Sequence, residues 1–196
     1  MIHDDASLAQ GLSRDLDGAF EHLVLAYQDR LFGFALGLSG TAADAEDCVQ
    51  DAFVRAYRAL RRYPEAQRRG LRVRPWLYRI TLNVVRNRAR GNHPSASLDG
   101  VAADRLSSPP GEEPEPLAEA AERRRELARL LIDLPDRYRA AVVLRHVQGL
   151  PYAEIAAILD QPVGTTKANV HRGLNLLRQA IEQQEARPAL LGGALA

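Results

Sequence analysis

The amino-acid sequence predicts an all-α protein made of two small helical domains joined by a flexible acidic linker. Three observations support this prediction. Apolar residues recur at three- and four-residue spacing in both halves of the chain, and no segment alternates with the two-residue period of a strand. The stretch between the halves is rich in Pro, Ser, Gly and acids and has little periodicity, as linkers do. Basic and acidic residues also occur in separate blocks along the chain.

The organisation of the chain follows from these patterns. A chain of 196 residues is long enough for two small domains. We expect a frayed N-terminus over residues 1–15, a first domain over 16–92, an acidic linker over 93–122, a second domain over 123–186 and a loose tail over 187–196.

The first domain is predicted to begin with two long helices. Apolar spacing from residue 17 to residue 38 indicates the first, which Ser39-Gly40 ends. Thr41, with Asp44 three residues later, is typical of the start of a second helix, which carries a broad apolar stripe.

The charge of the chain lies in three blocks, although the formal net charge is only +1. Between residues 51 and 92 there are twelve arginines and two acids, a local net of +10. Between 101 and 122 there are one arginine and six acids, a local net of −5, and from 123 to 187 eleven basic residues outnumber seven acidic ones. Ordinary surfaces intersperse both signs. The order therefore indicates two modules that bind a polyanion, joined by an acidic tether.

A third helix of the first domain is predicted from Arg74-Pro75 to about residue 90, after an arginine-rich loop over 63–73. At helical pitch a basic and amide stripe lies on one face and apolar residues lie on the other. The stripe consists of Arg79, Asn83, Arg86 and Arg90, flanked by Trp76 and Asn87, and it faces away from Leu77, Ile80, Thr81 and Val84. Arg72 and Arg74 precede the stripe, and Trp76 and Tyr78 place aromatic rings beside it. Such a surface is suited to phosphate contact, base-edge reading and stacking on unpaired bases, although Trp76 alone fits a core position equally well.

The second helix carries a polar ridge opposite its apolar stripe. Asp47, Gln50 and Asp51 form this acidic ridge at i, i+3 and i+4 spacing. Asp51 lies too far from the helix N-terminus to be explained by the helix dipole. Because like charges four residues apart are unfavourable in isolation, a basic partner surface is one explanation and a solvated acidic face is the other.

The second domain contains a compact helix-turn-helix pattern. Residues 152–159 are predicted to form a two-turn helix, Asp160-Gln161-Pro162 a short turn, and a last helix runs from about 163 to 185. In this motif the first helix braces the second, which enters a major groove. The candidate phosphate donors and base-edge readers are Thr165, Lys167, Ala168, Asn169, His171 and Arg172. The alternative is an ordinary helix pair with a solvated basic surface.

Composition disfavours several other classes of protein. Cys48 is the only cysteine, which rules out an intrachain disulfide and a cysteine-rich zinc site. The five histidines are scattered, so neither a metal nor a cofactor is expected. No signal peptide or membrane-spanning run is recognisable, and we expect a cytoplasmic protein without membrane insertion. There is no Gly-rich phosphate loop and no nucleophile constellation, so no catalytic residue is expected and an enzyme is disfavoured.

Six motifs follow one another in the order and at the separations of a known family. They are Asp44-Ala-Glu-Asp-Cys-Val-Gln-Asp-Ala-Phe-Val-Arg-Ala-Tyr57, Arg74-Pro-Trp-Leu-Tyr-Arg-Ile80 with Asn83, Leu134-Pro135, Leu144-Arg145, Gly149-Leu-Pro-Tyr-Ala-Glu-Ile-Ala156 and Pro162-Val-Gly-Thr165. Together they resemble the extracytoplasmic-function (ECF) group of the bacterial sigma-70 family of RNA polymerase sigma factors. The resemblance covers about residues 20–90 and 127–181.

The resemblance implies a fold and three binding roles. The first domain would be a sigma region 2-like helical bundle, and the second a sigma region 4-like helix-turn-helix domain. The acidic ridge (Asp47, Gln50 and Asp51) would dock on the clamp of core RNA polymerase. The minus-10 set (Arg72, Arg74, Trp76, Arg79, Asn83, Arg86, Asn87 and Arg90) would recognise and melt the minus-10 element of promoter DNA. The minus-35 set (Thr165, Lys167, Ala168, Asn169, His171 and Arg172) would read the minus-35 element in duplex form.

The resemblance alone implies two further features, a path for the linker on the polymerase and a regulatory partner protein. The acidic linker is expected to thread toward the RNA exit path, where it would mimic RNA in a basic channel. A helical anti-sigma protein is expected to clamp the two domains so that their DNA faces are hidden.

Three residues of the predicted last helix depart from the family pattern, and Asp160 in the turn before it stands where glycine is common. Thr166 stands where valine is usual, and Ala168-Asn169 stands where Ser-Arg is usual. Asn169 removes a positive charge from the expected DNA face, so minus-35 affinity or sequence preference is expected to differ from the family norm. The main alternative to a sigma factor is a stand-alone helix-turn-helix regulator that binds duplex operator DNA as a dimer, which leaves the first domain unexplained.

Overall fold

The computed structural model describes residues 5–91 and 126–185, and every regular element within these ranges is helical. In chain order the elements are α1 (Asp5–Arg14), α2 (Leu16–Ser39), α3 (Ala42–Arg62), α4 (Glu65–Arg69), α5 (Val73–Gly91), the described part of α6 (126–133), α7 (Asp136–Val142), a π-helical turn (Val143–Val147), α8 (Tyr152–Leu159) and α9 (Val163–Glu185). The predicted all-α class is confirmed. The predicted linker (93–122) and tail (187–196) lie outside the described residues.

The prediction of a frayed N-terminus over residues 1–15 is wrong for residues 5–14, which form helix α1, and residues 1–4 lie outside the described ranges. Helix α1 buries Leu8, Ala9 and Leu12 in the core of the first domain. It packs against α2, α4 and α5. A ten-residue helix is marginal by itself, so packing on the rest of the domain is what stabilises it.

Helices α2 and α3 have the end signals that the sequence predicts. Gly40 adopts left-handed backbone at φ 83°, and its N–H donates to the Leu36 carbonyl at 2.9 Å. Thr41 caps α3, since its Oγ1 accepts from the Asp44 N–H at 3.2 Å. The two helices pack along each other and against α5, and together they enclose the core of the first domain.

The segment between α3 and α5 is more ordered than the predicted arginine-rich loop over 63–73. It contains the short helix α4, which begins directly after Pro64 and packs against α1. Helix α5 begins at Val73, one residue before the predicted start. Pro75 lies buried in its first turn, where the missing N–H of proline costs no hydrogen bond.

The second domain is built around a close crossing of α7 and α9. A Cβ added at Gly173 would lie 2.5 Å from Val142 Cγ2, so only glycine allows this approach. Helix α8, the turn and α9 form the predicted helix-turn-helix. Asp160 ends α8 with left-handed backbone at φ 54°, a conformation that Asp tolerates better than most residues.

The two domains pack against each other directly. Helix α2 contacts α7 and the π-helical turn, and α5 contacts α8. Arg139 of α7 joins the two halves, because its Nη1 donates to the Leu38 carbonyl at 2.9 Å and its Nη2 donates to the Leu134 and Ile132 carbonyls. These carbonyls lie at the C-terminal ends of α2 and α6, where positive charge is favourable. Burial lowers the pKa of the Arg139 guanidinium from its ordinary value.

The described ranges show neither a membrane-spanning helix nor a metal-binding cluster. No helix there is both long and apolar enough to cross a lipid bilayer. Residues 5–91 and 126–185 also contain no cluster of three or more His, Cys, Asp or Glu side chains that would hold a metal ion.

Candidate nucleic-acid interface

Helix α5 has the two faces that the sequence predicts. Leu77, Thr81 and Val84 are buried in the first domain, and Ile80 is half-buried. The polar face consists of Arg79, Asn83, Asn87 and Arg90, all exposed, and the half-buried Arg86. A row of guanidinium and amide groups therefore lies on one face of a helix whose opposite face packs in the core of the first domain.

Trp76 occupies an intermediate position between core and solvent. It is half-buried and packs on Tyr63, with ring centroids 6.2 Å apart, and its Nε1 donates to the Tyr63 hydroxyl at 3.4 Å. One side of the indole is thus fixed by the protein, while part of its surface remains accessible. Trp76 therefore has features of both interpretations that the sequence leaves open, a core position and an accessible ring beside the basic stripe.

Tyr78 is a buried residue and not a stacking platform for bases, which corrects the sequence interpretation. Its side chain is only 1 % exposed, and its hydroxyl donates to Gln148 Oε1 at 2.7 Å. Burial raises the pKa of this phenol well above its ordinary value. Tyr78 therefore connects α5 to the second domain.

The N-terminus of α5 is capped by a residue far away in the sequence. Asp5 Oδ1 accepts from the Arg74 N–H at 2.9 Å and from the Tyr27 hydroxyl at 3.1 Å. Burial and the neighbouring Asp5 carboxylate raise the pKa of Tyr27 to about 12. The Arg74 side chain points to the second domain, where its Nη1 lies 3.4 Å from Glu154 Oε2. Arg72, just before α5, is exposed.

The acidic ridge of α3 lies at the surface but is partly neutralised within the chain. Asp47 accepts from Arg88 at 2.6 Å, and Asp51 accepts two hydrogen bonds from Arg55 at 3.0 and 2.8 Å. Gln50 is exposed between them. These ion pairs are solvent-exposed and hence weak, so a basic partner can replace them at little cost.

The minus-35 set lies at the start of α9, and five of its six members are exposed. These are Thr165, Lys167, Ala168, His171 and Arg172. Lys167 Nζ lies 5.8 Å from the centre of the Tyr152 ring, which places its charge beside α8. Arg172 reaches the Tyr138 hydroxyl and lowers the pKa of that phenol.

Asn169 is the buried member of the minus-35 set. It is 8 % exposed, and its Nδ2 donates to Gln161 Oε1 at 3.2 Å. Gln161 donates in turn to Thr166 Oγ1 at 3.1 Å, and Thr166, which is fully buried, donates to the Pro162 carbonyl. Thr166 and Asn169, two of the residues that depart from the family pattern, are therefore linked in one network that holds the turn against α9.

The structure brings part of the minus-10 set onto the helix-turn-helix domain. Arg79 donates to the Ala157 carbonyl and lies 3.3 Å from Asp160 Oδ1. The sequence interpretation missed Asp5, Tyr63 and Gln148 as supports of the site. Asp5 and Gln148 lie about 70 residues from their partners on α5, so no local pattern identifies them.

Comparisons with known proteins match both halves of the chain to one family. Residues 23–94 match the Sigma-70 region 2 family, and residues 124–177 match the Sigma-70, region 4 family. The ECF RNA polymerase sigma-E factor of Escherichia coli K12 is 34 % identical over 187 residues, which are 92 % of this chain and 93 % of that protein.

Two further proteins extend the comparison. The ECF RNA polymerase sigma factor SigE of Mycolicibacterium smegmatis is 34 % identical over 177 residues, 87 % of this chain, and the match spans 65 % of that longer relative. The solved structure of CnrH in complex with the cytosolic domain of CnrY superposes with a TM-score of 0.66 at 26 % identity and covers 91 % of this chain and 97 % of CnrH. With two sigma-70 regions in the expected order and relatives matched over nearly the whole chain, this protein belongs to the ECF group of RNA polymerase sigma factors.

Proposed function

We propose that this sigma factor contacts minus-10 DNA through the polar face of α5 and directs core RNA polymerase to specific promoters without catalytic chemistry of its own. The observation that carries the proposal is the one-sided α5, with exposed Arg79, Asn83 and Arg90 on a helix whose other face is buried. Guanidinium groups bind phosphates and base edges, and the fixed Trp76 ring offers a stacking surface for an unpaired base. A factor of this kind acts on the polymerase in the cytoplasm.

The acidic ridge is the proposed contact with the polymerase clamp. Asp47 and Asp51 are exposed enough to exchange Arg88 and Arg55 for basic groups of a partner. Gln50 lies between them and adds a neutral hydrogen-bonding group. Complementary charge of this kind mainly sets the rate and the orientation of docking.

The start of α9 is the proposed reader of the minus-35 duplex. Thr165 and Lys167 are placed to hold phosphates, and Arg172 is long enough to reach a base edge in the major groove. Ala168 and His171 are also exposed on this part of the helix. Asn169 acts differently, because it is buried and keeps the turn and α9 in register.

An anti-sigma protein is the proposed regulatory partner. CnrH was solved in complex with the cytosolic domain of another protein, CnrY, which supports the expectation of a protein partner for this chain. The faces to be covered are those of α5 and α9, since hiding either one prevents promoter recognition.

Reconstituted transcription with purified core polymerase tests the proposed function. The double variant Asp47→Arg/Asp51→Arg places positive charge where a basic clamp surface would dock, and like charges across an interface cost several kcal/mol. We expect core binding and promoter-directed transcription to fall by about tenfold or more. The control Glu126→Arg/Glu182→Arg makes the same charge change at exposed positions of the second domain. Transcription that survives the first variant, or tight operator-like binding to duplex DNA without polymerase, would overturn the proposal.

A further inference from the structure

We propose that Gln161, in the turn before α9, is a positioning residue for minus-35 recognition: its side-chain amide fixes the start of α9 and so determines the base preference there. This inference deepens the proposed function and rests on the role of α9 as the minus-35 reader. Gln161 does not itself contact DNA in this proposal. It acts through Thr166 and Asn169, with which its amide is hydrogen-bonded.

The backbone of Gln161 is tied to the end of α8. Its N–H donates to the Ala156 carbonyl at 3.1 Å, directly after Asp160 has ended α8 with left-handed backbone. The carbonyl of Pro162, the next residue, accepts from the Thr166 N–H at 3.0 Å in the first turn of α9. Gln161 therefore lies where the bracing helix ends and the reading helix begins.

Both ends of the Gln161 side-chain amide are bonded to α9. Its Nε2 donates to Thr166 Oγ1 at 3.1 Å, and its Oε1 accepts from Asn169 Nδ2 at 3.2 Å. Because one end of an amide only donates and the other only accepts, these two bonds fix the direction in which the amide points. Thr166 leads the connection back to the turn, since its hydroxyl donates to the Pro162 carbonyl at 3.1 Å.

The two residues that Gln161 holds lie on the buried face of α9. Thr166 is fully buried and Asn169 is 8 % exposed. The exposed residues of the same stretch of helix are Thr165, Lys167 and Ala168. Rotation of the helix about its axis would move the buried and the exposed residues together. Hydrogen bonds are directional whereas apolar packing is not, so this network fixes the rotation more narrowly than apolar contact alone would.

The far end of the reading surface is supported by different neighbours. Arg172 precedes Gly173, where an added Cβ would lie 2.5 Å from Val142 Cγ2 and 3.3 Å from Tyr138 Cβ of α7. This close crossing with α7 fixes the backbone next to Arg172. Loss of the Gln161 amide is therefore expected to disturb the start of α9 and to leave Arg172 in place.

The base preference of the reconstituted holoenzyme tests this inference position by position. Gln161→Met keeps the approximate length of the side chain and removes the amide. On a panel of single-base minus-35 variants, we expect discrimination at the base pairs facing the start of α9 to fall by about three- to tenfold. Discrimination at the base pair where Arg172→Ala relaxes preference, and affinity for DNA without a promoter, should change by less than about twofold. Gln179→Met, at an exposed position farther along α9, is the matched control and should keep the wild-type preference.

A charged replacement should give the opposite result. Gln161→Glu keeps an acceptor for Asn169 and a partner for the Thr166 hydroxyl, but it adds a negative charge beside the proposed DNA surface. We expect it to retain most of the base preference and to weaken binding to all sequences, more strongly at low salt. A merely structural role of Gln161 would instead make the two variants lose affinity and preference alike.

A double-mutant cycle tests whether Gln161 acts through Asn169. In an Asn169→Leu background, Gln161→Met should relax preference no further, because the connection is already broken. Uniform loss of discrimination across the minus-35 element in Gln161→Met, or unchanged preference, would refute the positioning role. If urea unfolding shows that Gln161→Met does not fold, loss of preference in Gln161→Glu would refute it. Absence of any minus-35 preference in the wild-type holoenzyme would instead refute the proposed function.

Discussion

Arg172 is the residue through which base reading by α9 is best tested. It is exposed, and its guanidinium lies beside the Tyr138 hydroxyl, which restricts its orientation. We expect Arg172→Ala to weaken minus-35 binding by about 1–3 kcal/mol and to relax preference at one base pair, if the side chain reads a base edge. Affinity measured against a panel of single-base promoter variants gives both the loss of binding free energy and the change in base preference.

The control for this prediction is another arginine of the same helix. Arg178 is also exposed, but it lies six residues farther from the start of α9. Arg178→Ala should change affinity little and preference not at all. A uniform loss on all sequences for Arg172→Ala would show that Arg172 holds phosphate and does not specify the base.

Asn169 illustrates why a residue role is harder to predict than a helix. The sequence places it on the second helix of the motif, and its amide has the right chemistry for a base edge. In the structure this amide points to Gln161, because that residue, eight positions earlier, offers a half-buried acceptor. Helical periodicity predicts the approximate face of a residue, but it does not reveal which neighbour satisfies a polar group.

At the scale of elements, the close crossing of α7 and α9 sets the position of the DNA-reading helix. A Cβ at Gly173 would meet Val142 Cγ2 at 2.5 Å and Tyr138 Cβ at 3.3 Å. We expect Gly173→Ala to lower the free energy of unfolding by about 1–3 kcal/mol, as overpacking of a core does. Urea unfolding followed by circular dichroism measures the change.

Gly164, on the same helix, is the matched position for this test. A Cβ added there would meet nothing within 4 Å. Gly164→Ala should therefore stabilise the protein slightly or leave it unchanged, because alanine has the higher helix propensity. Equal destabilisation by both substitutions would contradict the role assigned to the α7–α9 crossing.

The elements that the sequence predicts well are those with local end signals. The ends of α2, α3 and α5 lie within one or two residues of their predicted positions, because Ser39-Gly40, Thr41 and Pro75 act on the backbone next to them. Helix α1 escapes prediction since its stability comes from packing on α2, α4 and α5. The burial of Tyr78 also escapes prediction, because its partner Gln148 lies in the other domain. Contacts between distant segments leave no periodic trace in the sequence.

At the scale of the whole molecule, two buried tyrosines connect segments that are distant in the chain. Tyr27 joins α2 to α1 through Asp5, and Tyr78 joins α5 to the second domain through Gln148. Burial and the Asp5 charge raise the pKa of Tyr27 to about 12, and burial raises that of Tyr78. Both hydroxyls thus keep their protons in the folded protein at a pH where an unfolded tyrosine loses its own.

The raised pKa of Tyr27 and of Tyr78 predicts that the folded protein loses stability at alkaline pH. Below pH 10 the tyrosines are protonated in both states, so their contribution is fully present. Above pH 10 the folded state binds more protons than the unfolded state, and the free energy of unfolding falls until the pH exceeds the folded pKa. For Tyr27 the displacement from 10.0 to about 12 corresponds to about 3 kcal/mol.

Urea unfolding between pH 9 and pH 12 tests this prediction. The wild-type protein should lose stability steeply above pH 10, and Tyr27→Phe/Tyr78→Phe should lose stability less steeply, because phenylalanine has no proton to release. Phe53→Leu, at a half-buried ring without an ionisable group, serves as the control and should keep the wild-type slope. If the double variant also keeps that slope, another group is responsible. If only Tyr78→Phe flattens it, the junction between the domains limits alkaline stability, because Tyr78 bonds across that junction whereas Tyr27 bonds within the first domain.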